Sequence, residues 1–332
     1  MSQIAVRISD DYPSPNTLRE EVLLGLATRP KHIAPKFFYD ERGSRLFDAI
    51  CELPEYYPTR TEMAILESCA GEVRALAGEG STLIEIGSGA SKKIRLLLET
   101  LRPRQYLGID ISRDFLLESV QHLARDYPWL EVHAACADFA QDQDLPDCPG
   151  SGRKLAFFPG STIGNFEPSE ALTFLQRVRR LVQPHGALLI GVDLKKDPRV
   201  LHAAYNDSMG VTAAFNLNLL ERLRSELGAD LVPQNFRHHA FYNPLHGRIE
   251  MHLVSRISQV IRVLGRRFNF NVAESIHTEN SYKYSADEFH ALALSAGFQT
   301  QRVWCDPAQL FSVHYLTPIQ RTRPRRLQVT SG

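Results

Sequence analysis

The chain has no membrane-length apolar run, no charge imbalance and no paired cysteines, and each absence removes a class of function. Its longest apolar runs, such as Ala187–Val192, are strand-sized, well short of the roughly 20 residues of a membrane span. Met1–Arg7 contains no apolar h-region, so no secretory signal is expected. Lys+Arg total 38 and Asp+Glu total 38, which leaves no basic excess for general nucleic-acid binding. Cys51, Cys69, Cys136, Cys148 and Cys305 are scattered and odd in number and form no CxxC pair, which argues against a disulfide framework or a structural zinc site. What is present is ordinary: 332 residues, 43% hydrophobic and 23% charged. That is enough chain for a large core in one big α/β domain or two domains. The expectation is a soluble, cytoplasmic protein.

The pattern predicts helices near Thr17–Ala27, over 44–52 and over 61–78, with Leu53–Arg60 a rigid loop holding two prolines and two tyrosines. From Thr82 the character changes. Strands at Thr82–Ile86, Gln105–Asp110, Leu130–Ala135, Lys154–Phe158 and Ala187–Val192 alternate with helices, which argues for βαβ units and a parallel sheet. The alternation stops near Leu194. Two helices follow, at Pro198–Asn206 and Val211–Leu227, then β-rich segments at Phe236–Tyr242, Arg248–Ile257 and Gln259–Asn271. A helix at Ala286–Ala296 and strands at Phe298–Cys305 and Gln309–Thr317 complete the chain, ahead of a basic tail expected to be flexible. A core interrupted by some ninety residues suggests a lid or second domain over the sheet's carboxyl edge, where open α/β sheets bind ligands.

Gly87 and Gly89 follow a strand and open a helix, so the backbone there can turn sharply and approach a ligand. Asp110 ends the next strand, at the distance expected of a carboxylate that accepts ribose hydroxyls. A dinucleotide fold wants Gly or Ala at the third position, whereas this chain has Lys92. A cation suits S-adenosylmethionine (SAM), which offers a carboxylate and no pyrophosphate. Asp138-Phe139, after the third strand, can bond an adenine amino group and cover its ring. These residues favour a SAM methyltransferase over an NAD enzyme. The plainer reading makes Asp110 a helix cap, Asp138 a turn residue and the glycines an ordinary turn.

Longer blocks carry a resemblance. Phe38–Ser44, Leu53–Arg60, Ile84–Gly89, Pro159–Asn165, Tyr205–Asp207, Gly210–Asn216, Ile249–Met251 and Thr278–Ser281 run in order over most of the chain. With them the sequence resembles the histidine-specific SAM-dependent Nα-methyltransferases of ergothioneine biosynthesis. The resemblance implies a Rossmann-like class I methyltransferase sheet (61–194 plus 286–320) with an inserted α+β substrate domain (10–60 plus 195–285) and a flexible tail at 321–332. It implies trimethylation of the L-histidine α-amino group to hercynine by a monomer. It also places Asn165, Tyr205 and Tyr56 or Tyr57 at the substrate carboxylate and Tyr39 near the amine. Glu279 and Ser281 would read the imidazole, with Met251 as an apolar wall. In an extended segment Glu279 and Ser281 share a face.

Asn280 and Tyr282 depart from some relatives, and if they reached the pocket the substrate could be another amino acid or a tryptophan-derived amine. A cofactor-binding protein without turnover is the reading from a different class. His238, His239, His246 and His252 cluster around a predicted hairpin, yet His238 and His239 point to opposite strand faces, so no metal site is expected.

Overall fold

The computed structural model describes residues 7–10, 15–89, 92–141, 144–147 and 152–320. The side chains of 7–10, 15–16 and Lys92 are outside that description, as are Cys148 and the expected tail at 321–332.

In chain order the strands are β1 (Arg7–Asp10), β2 (Lys31–His32), β3 (Thr82–Ile86), β4 (Gln105–Asp110), β5 (Glu131–Cys136), β6 (Lys154–Phe158), β7 (Ala187–Asp193), β8 (Phe236–Asn243), β9 (Arg248–Ser255), β10 (Gln259–Val263), β11 (Arg266–Phe270), β12 (Ser275–Tyr282), β13 (Phe298–Cys305) and β14 (Phe311–Pro318). The helices are α1 (Pro15–Ala27), α2 (Glu41–Cys51), α3 (Tyr57–Ala77), α4 (Lys92–Leu101), α5 (Arg113–Asp126), α6 (Pro168–Val182), α7 (Pro198–Tyr205), α8 (Val211–Leu227) and α9 (Ala286–Ser295).

Eight strands form one sheet in the order β1-β5-β4-β3-β6-β7-β14-β13. Strands β3 to β7 run parallel, and β14 is antiparallel to both β7 and β13. Residues of β3 and β7 are buried throughout, as expected of strands covered by helices on both faces. Chain order reverses between β3 and β6, the topological switch point at which such sheets bind ligands. The alternation predicted this parallel α/β sheet, and the resemblance implied its Rossmann-like class I form.

Between β7 and α9 the chain builds something different. β2-β12-β9-β8 make a second sheet and β10-β11 a hairpin. One face of the second sheet packs against α1, α2 and α8 in a core of its own, with Leu26, Phe38, Phe215, Leu220, Ile249 and Leu253 at its centre. Two further cores, one on each face of the large sheet, involve other residues.

Two local expectations are corrected. Leu53–Arg60 is not loop throughout: α3 begins at Tyr57, with Pro58 in its first turn, where a missing N–H costs nothing. Residues 7–10, for which the pattern predicts no element, pair in parallel with β5. Four residues are too few for a period to show.

Candidate functional site

The carboxyl ends of the parallel strands open into a cavity of about 740 Å³. Gly87 leaves β3 at φ 75°, and a Cβ there would meet the Phe139 ring at 3.8 Å. That is ordinary contact, so the left-handed backbone and not a lack of space is what favours glycine there. Asp110, at the end of β4, accepts the Gly89 N–H at 3.2 Å and the Ser112 N–H at 2.8 Å. Burial raises its pKa, against the pull of those N–H groups. A backbone N–H of Ile111 also reaches it, so part of the roughly four lone-pair positions of the carboxylate is left for hydroxyl donors. Asp138 accepts from Ala140 N at 3.0 Å and from Lys36 Nζ at 2.9 Å. Phe139 packs edge-on against Phe158, Phe166 and Phe174. The structure thus brings Gly87, Gly89, Asp110, Asp138 and Phe139 to one wall.

Lys92 lies in α4. Its neighbour Lys93 lines the cavity, pairs with the buried Glu62, and stands beside Gly160, whose N–H donates to Glu62 at 2.9 Å. Sequence reasoning passed over Lys93 and also Lys36 and Glu85. Glu85 faces the same cavity, its carboxyl raised to about 8 by burial although Tyr106 OH donates to it at 2.7 Å. Glu85 and Lys93 flank the glycines in sequence, which was the available signal.

A second, narrow chamber shares Tyr39, Tyr56, Gly160, Thr162 and Asn165 with the first as a common wall. Its far side is Met251, Glu279, Ser281, Lys283 and Tyr205. Asn165 reaches it because a tight 3-10 turn over Thr162–Asn165 packs onto β12. A Cβ on Gly164 would stand 2.6 Å from the Tyr282 carbonyl oxygen, so only glycine permits that approach. Glu279 and Met251 are register partners across β12 and β9, just past a β-bulge at Thr278. The bulge aims Glu279 inward, and Thr278 is fixed by donating to Asn216 at 2.9 Å and to the Met251 carbonyl at 3.1 Å. All seven expected substrate residues therefore line one chamber. Of the adjacent tyrosines, Tyr56 faces it. Tyr57 turns away and donates to Asp193 at 2.7 Å.

Burial raises the Glu279 carboxyl to about 7, and the Lys283 charge only partly offsets this. Tyr39 is raised well above the usual tyrosine value by burial and by the Glu279 and Asp110 charges. Behind the chamber lies an ionic cluster. Lys283 Nζ stands 2.7 Å from Asp193 Oδ2 and donates to Ser281 Oγ at 2.7 Å and to Tyr205 OH at 3.2 Å. Tyr205 OH in turn donates to Ser281 Oγ at 2.8 Å. Lys196 also pairs with Asp193. Burial works to raise Asp193, yet the two ammonium groups outweigh it and hold the carboxyl below its usual range. Lys196 is lowered to about 8 by burial and the neighbouring Lys283. Two cations on one buried carboxylate leave the Asp193 cluster itself net positive, with Glu279 as a second carboxyl near Lys283.

A family model described as "Histidine-specific methyltransferase, SAM-dependent" matches residues 18–318. The chain belongs to that family. A histidine N-alpha-methyltransferase of Mycolicibacterium smegmatis is 41% identical over 302 residues, 89% of this chain and 93% of the relative. One from Mycobacterium tuberculosis is 40% identical with the same coverage. Ergothioneine biosynthesis protein 1 of Neurospora crassa is 31% identical over 83% of this chain and 32% of that longer protein. Family membership makes the protein a SAM-dependent methyltransferase, and the glycine turn, the Asp110 lone pairs and the Phe139 face fit that cofactor.

The two departures from some family members are harmless to the chamber. Asn280 donates to Glu167 at 2.8 Å, and Tyr282 OH donates to Glu167 at 2.6 Å while accepting from Arg248 at 2.6 Å. Neither lines the cavity or the chamber. Among the described residues no helix is long and apolar enough to cross a membrane.

Proposed function

We infer that this enzyme methylates the α-nitrogen of L-histidine repeatedly, giving the trimethylated betaine, hercynine. The observation that carries the reading is Glu279: a buried carboxylate that opens into a narrow chamber two residues from Ser281 and beside Met251, on the far side from the glycine turn. A carboxylate accepts one imidazole N–H and a hydroxyl serves the other nitrogen. A side chain that leaves them unpaired is rejected.

SAM, when bound, supplies a sulfonium methyl already activated for displacement. Gly87, Gly89, Asp110, Asp138 and Phe139 would hold its nucleoside, with Lys92 or the adjacent Lys93 at its carboxylate. Lys93 has the support of lining the cavity. Asn165, Tyr56 and Tyr205 would hold the substrate carboxylate, backed by the net positive Asp193 cluster. Tyr39, on the common wall, would face the amine. Amino-group pKa values of about 8 to 9 leave a neutral fraction near neutral pH, so the residues need only orient the amine and exclude water. A grip on both ends of the substrate and none on the N–H groups leaves room for successive methyls.

We assign 61–194 plus 286–320 to the cofactor domain and 10–60 plus 195–285 to the substrate domain, a division supported by the separate cores. Action as a monomer is proposed on the family resemblance alone. The free thiols of Cys51, Cys69 and Cys305 suit a reducing, cytoplasmic compartment.

Mass spectrometry of the purified protein with SAM and each standard amino acid tests the reading. Histidine building to the trimethyl form is the expected result. Methylation of a different amino acid in preference would overturn the roles of Glu279 and Ser281.

A further inference from the structure

The face of the small sheet turned away from its core carries a row of histidines that the methyltransferase site does not use. Strand register sets His32 of β2 beside His277 of β12, His277 beside His252 of β9, and His252 beside His239 of β8. At the centre, His252 and His277 stack with ring centroids 4.8 Å apart and planes 18° from parallel. Glu250 precedes His252 by two on β9, so it shares that face, and its Oε2 lies 3.3 Å from His252 Nε2. One ligand atom each from Glu250, His252 and His277 falls within a span of 4.8 Å, a grouping found once among the described residues.

We propose that Glu250, His252 and His277 form a binding site for a divalent transition-metal ion of the zinc class, separate from the methyl-transfer centre.

Two imidazoles and one carboxylate are a donor set that zinc uses, with a water in the fourth position. Both rings are held from outside. His277 Nε2 lies 3.1 Å from the Glu279 carbonyl oxygen, and His252 Nδ1 lies 3.1 Å from Ser275 Oγ. Metal-binding histidines are oriented by such contacts; Asn280 also bonds to the His277 side chain and Glu250 Oε2 faces His252 Nε2, contacts that a bound ion would replace. A neutral His252 that places its proton on Nδ1, toward Ser275, offers the Nε2 lone pair to the metal. The acidic ligand is arranged in the same manner. Arg248 and Asn243 each donate to Glu250 Oε1 at 2.9 Å, leaving Oε2 toward the histidines.

Closing the span to the edge of a tetrahedron with bonds of about 2.1 Å brings the ligand atoms to about 3.4 Å, and it requires the two stacked rings to turn out of their near-parallel arrangement so that a nitrogen of each faces one ion. The strands holding all three residues are already paired, so little backbone ordering opposes binding.

The test uses the untagged full chain, stripped of metal. Zn²⁺ alone is titrated by calorimetry and Co²⁺ alone by visible absorption. One saturable equivalent is expected, with the d–d bands of nitrogen- and oxygen-ligated cobalt. The double variant H252Q/H277Q should bind at least tenfold more weakly. H246Q, in the exposed turn between β8 and β9, should bind as the parent does. SAM binding reports that each variant is folded. Should the double variant not fold, E250Q serves in its place, with a tenfold loss again expected. Absence of a saturable equivalent, equal affinity in the folded double variant or in E250Q, or loss in H246Q would each overturn the proposal.

Discussion

The wide cavity and the narrow chamber meet at a common wall but are made differently. The cavity is set by backbone: Gly87, Asp110, Asp138 and Gly160 each stand at or just after the carboxyl end of a parallel strand. Their places follow once β3 to β6 pair in register. The chamber is set by side chains from segments far apart: Tyr39 and Tyr56 before the sheet, Asn165 after β6, Tyr205 in α7, and Met251, Glu279 and Ser281 on the second sheet. Those segments converge around one buried ionic cluster at Asp193, the last residue of β7. A site hung on strand ends tolerates change one residue at a time. A site hung on a shared buried charge is expected to fail as a unit.

The largest effect expected is on the cavity. D110A removes the carboxylate proposed to take both ribose hydroxyls. Two charge-assisted bonds at about 1.5–3 kcal/mol each give a loss of SAM affinity of about 10²–10⁴-fold. Calorimetry should find this with the melting temperature little changed. Equal losses of SAM and histidine binding would erase the contrast between the two chambers.

D193N comes next. It leaves Lys196 and Lys283 buried with no full negative charge, and breaking a buried ion pair costs about 3–5 kcal/mol. Denaturant unfolding should show that cost, and histidine turnover should fall along with it. A stable, active D193N would show that the cluster does not hold the chamber together.

E279A should cost about 1.5–3 kcal/mol in kcat/KM for histidine, roughly tenfold to 150-fold, with SAM affinity within about twofold. The same residue predicts a pH effect. Its folded pKa of about 7 lies above the ordinary glutamate value, so the carboxylate predominates only above about pH 7. Histidine affinity should therefore decline as pH falls through 7, and E279Q should lose that inflection. The stability sign is opposite. Ionising this buried carboxyl weakens the free enzyme as pH rises from the unfolded pKa toward 7. E279Q should therefore gain stability relative to the parent over that window, by at most about 3 kcal/mol.

Smallest is the pair of tyrosines. Y56F should raise KM for histidine by one lost hydrogen bond, about 1 kcal/mol or fivefold. Y57F should leave KM near the parent value and lower stability by a similar amount, since its hydroxyl serves Asp193. Steady-state kinetics and melting curves on both variants separate the roles. Reversed results would reassign which tyrosine faces substrate.

Much of this was legible in the residues. Strand alternation showed β3 to β7, because strands buried on both faces read as short apolar runs between helices. The Gly87–Asp110 spacing marked the sheet edge that opens into the cavity for the same local reason. Two things were not legible. Lys93 was not named beside Lys92, since two adjacent cations at the start of a helix do not show in their sequence that the second lines a cavity. The Asp193 cluster joins Tyr57, Lys196 and Lys283, positions up to 226 residues apart in the numbering, and no local period connects them.

The sequence by itself determined the alternating core, its interruption and, through the resemblance, the residue types suited to a histidine ring. Only the tertiary structure decided that Tyr56 and not Tyr57 faces the chamber, that Asn280 and Tyr282 point away to Arg248 and Glu167, and that a bulge at Thr278 turns Glu279 inward. The physical reason is common to all three. A side chain's direction depends on register and on close approaches such as Gly164 against Tyr282, and these are settled only when distant segments pack.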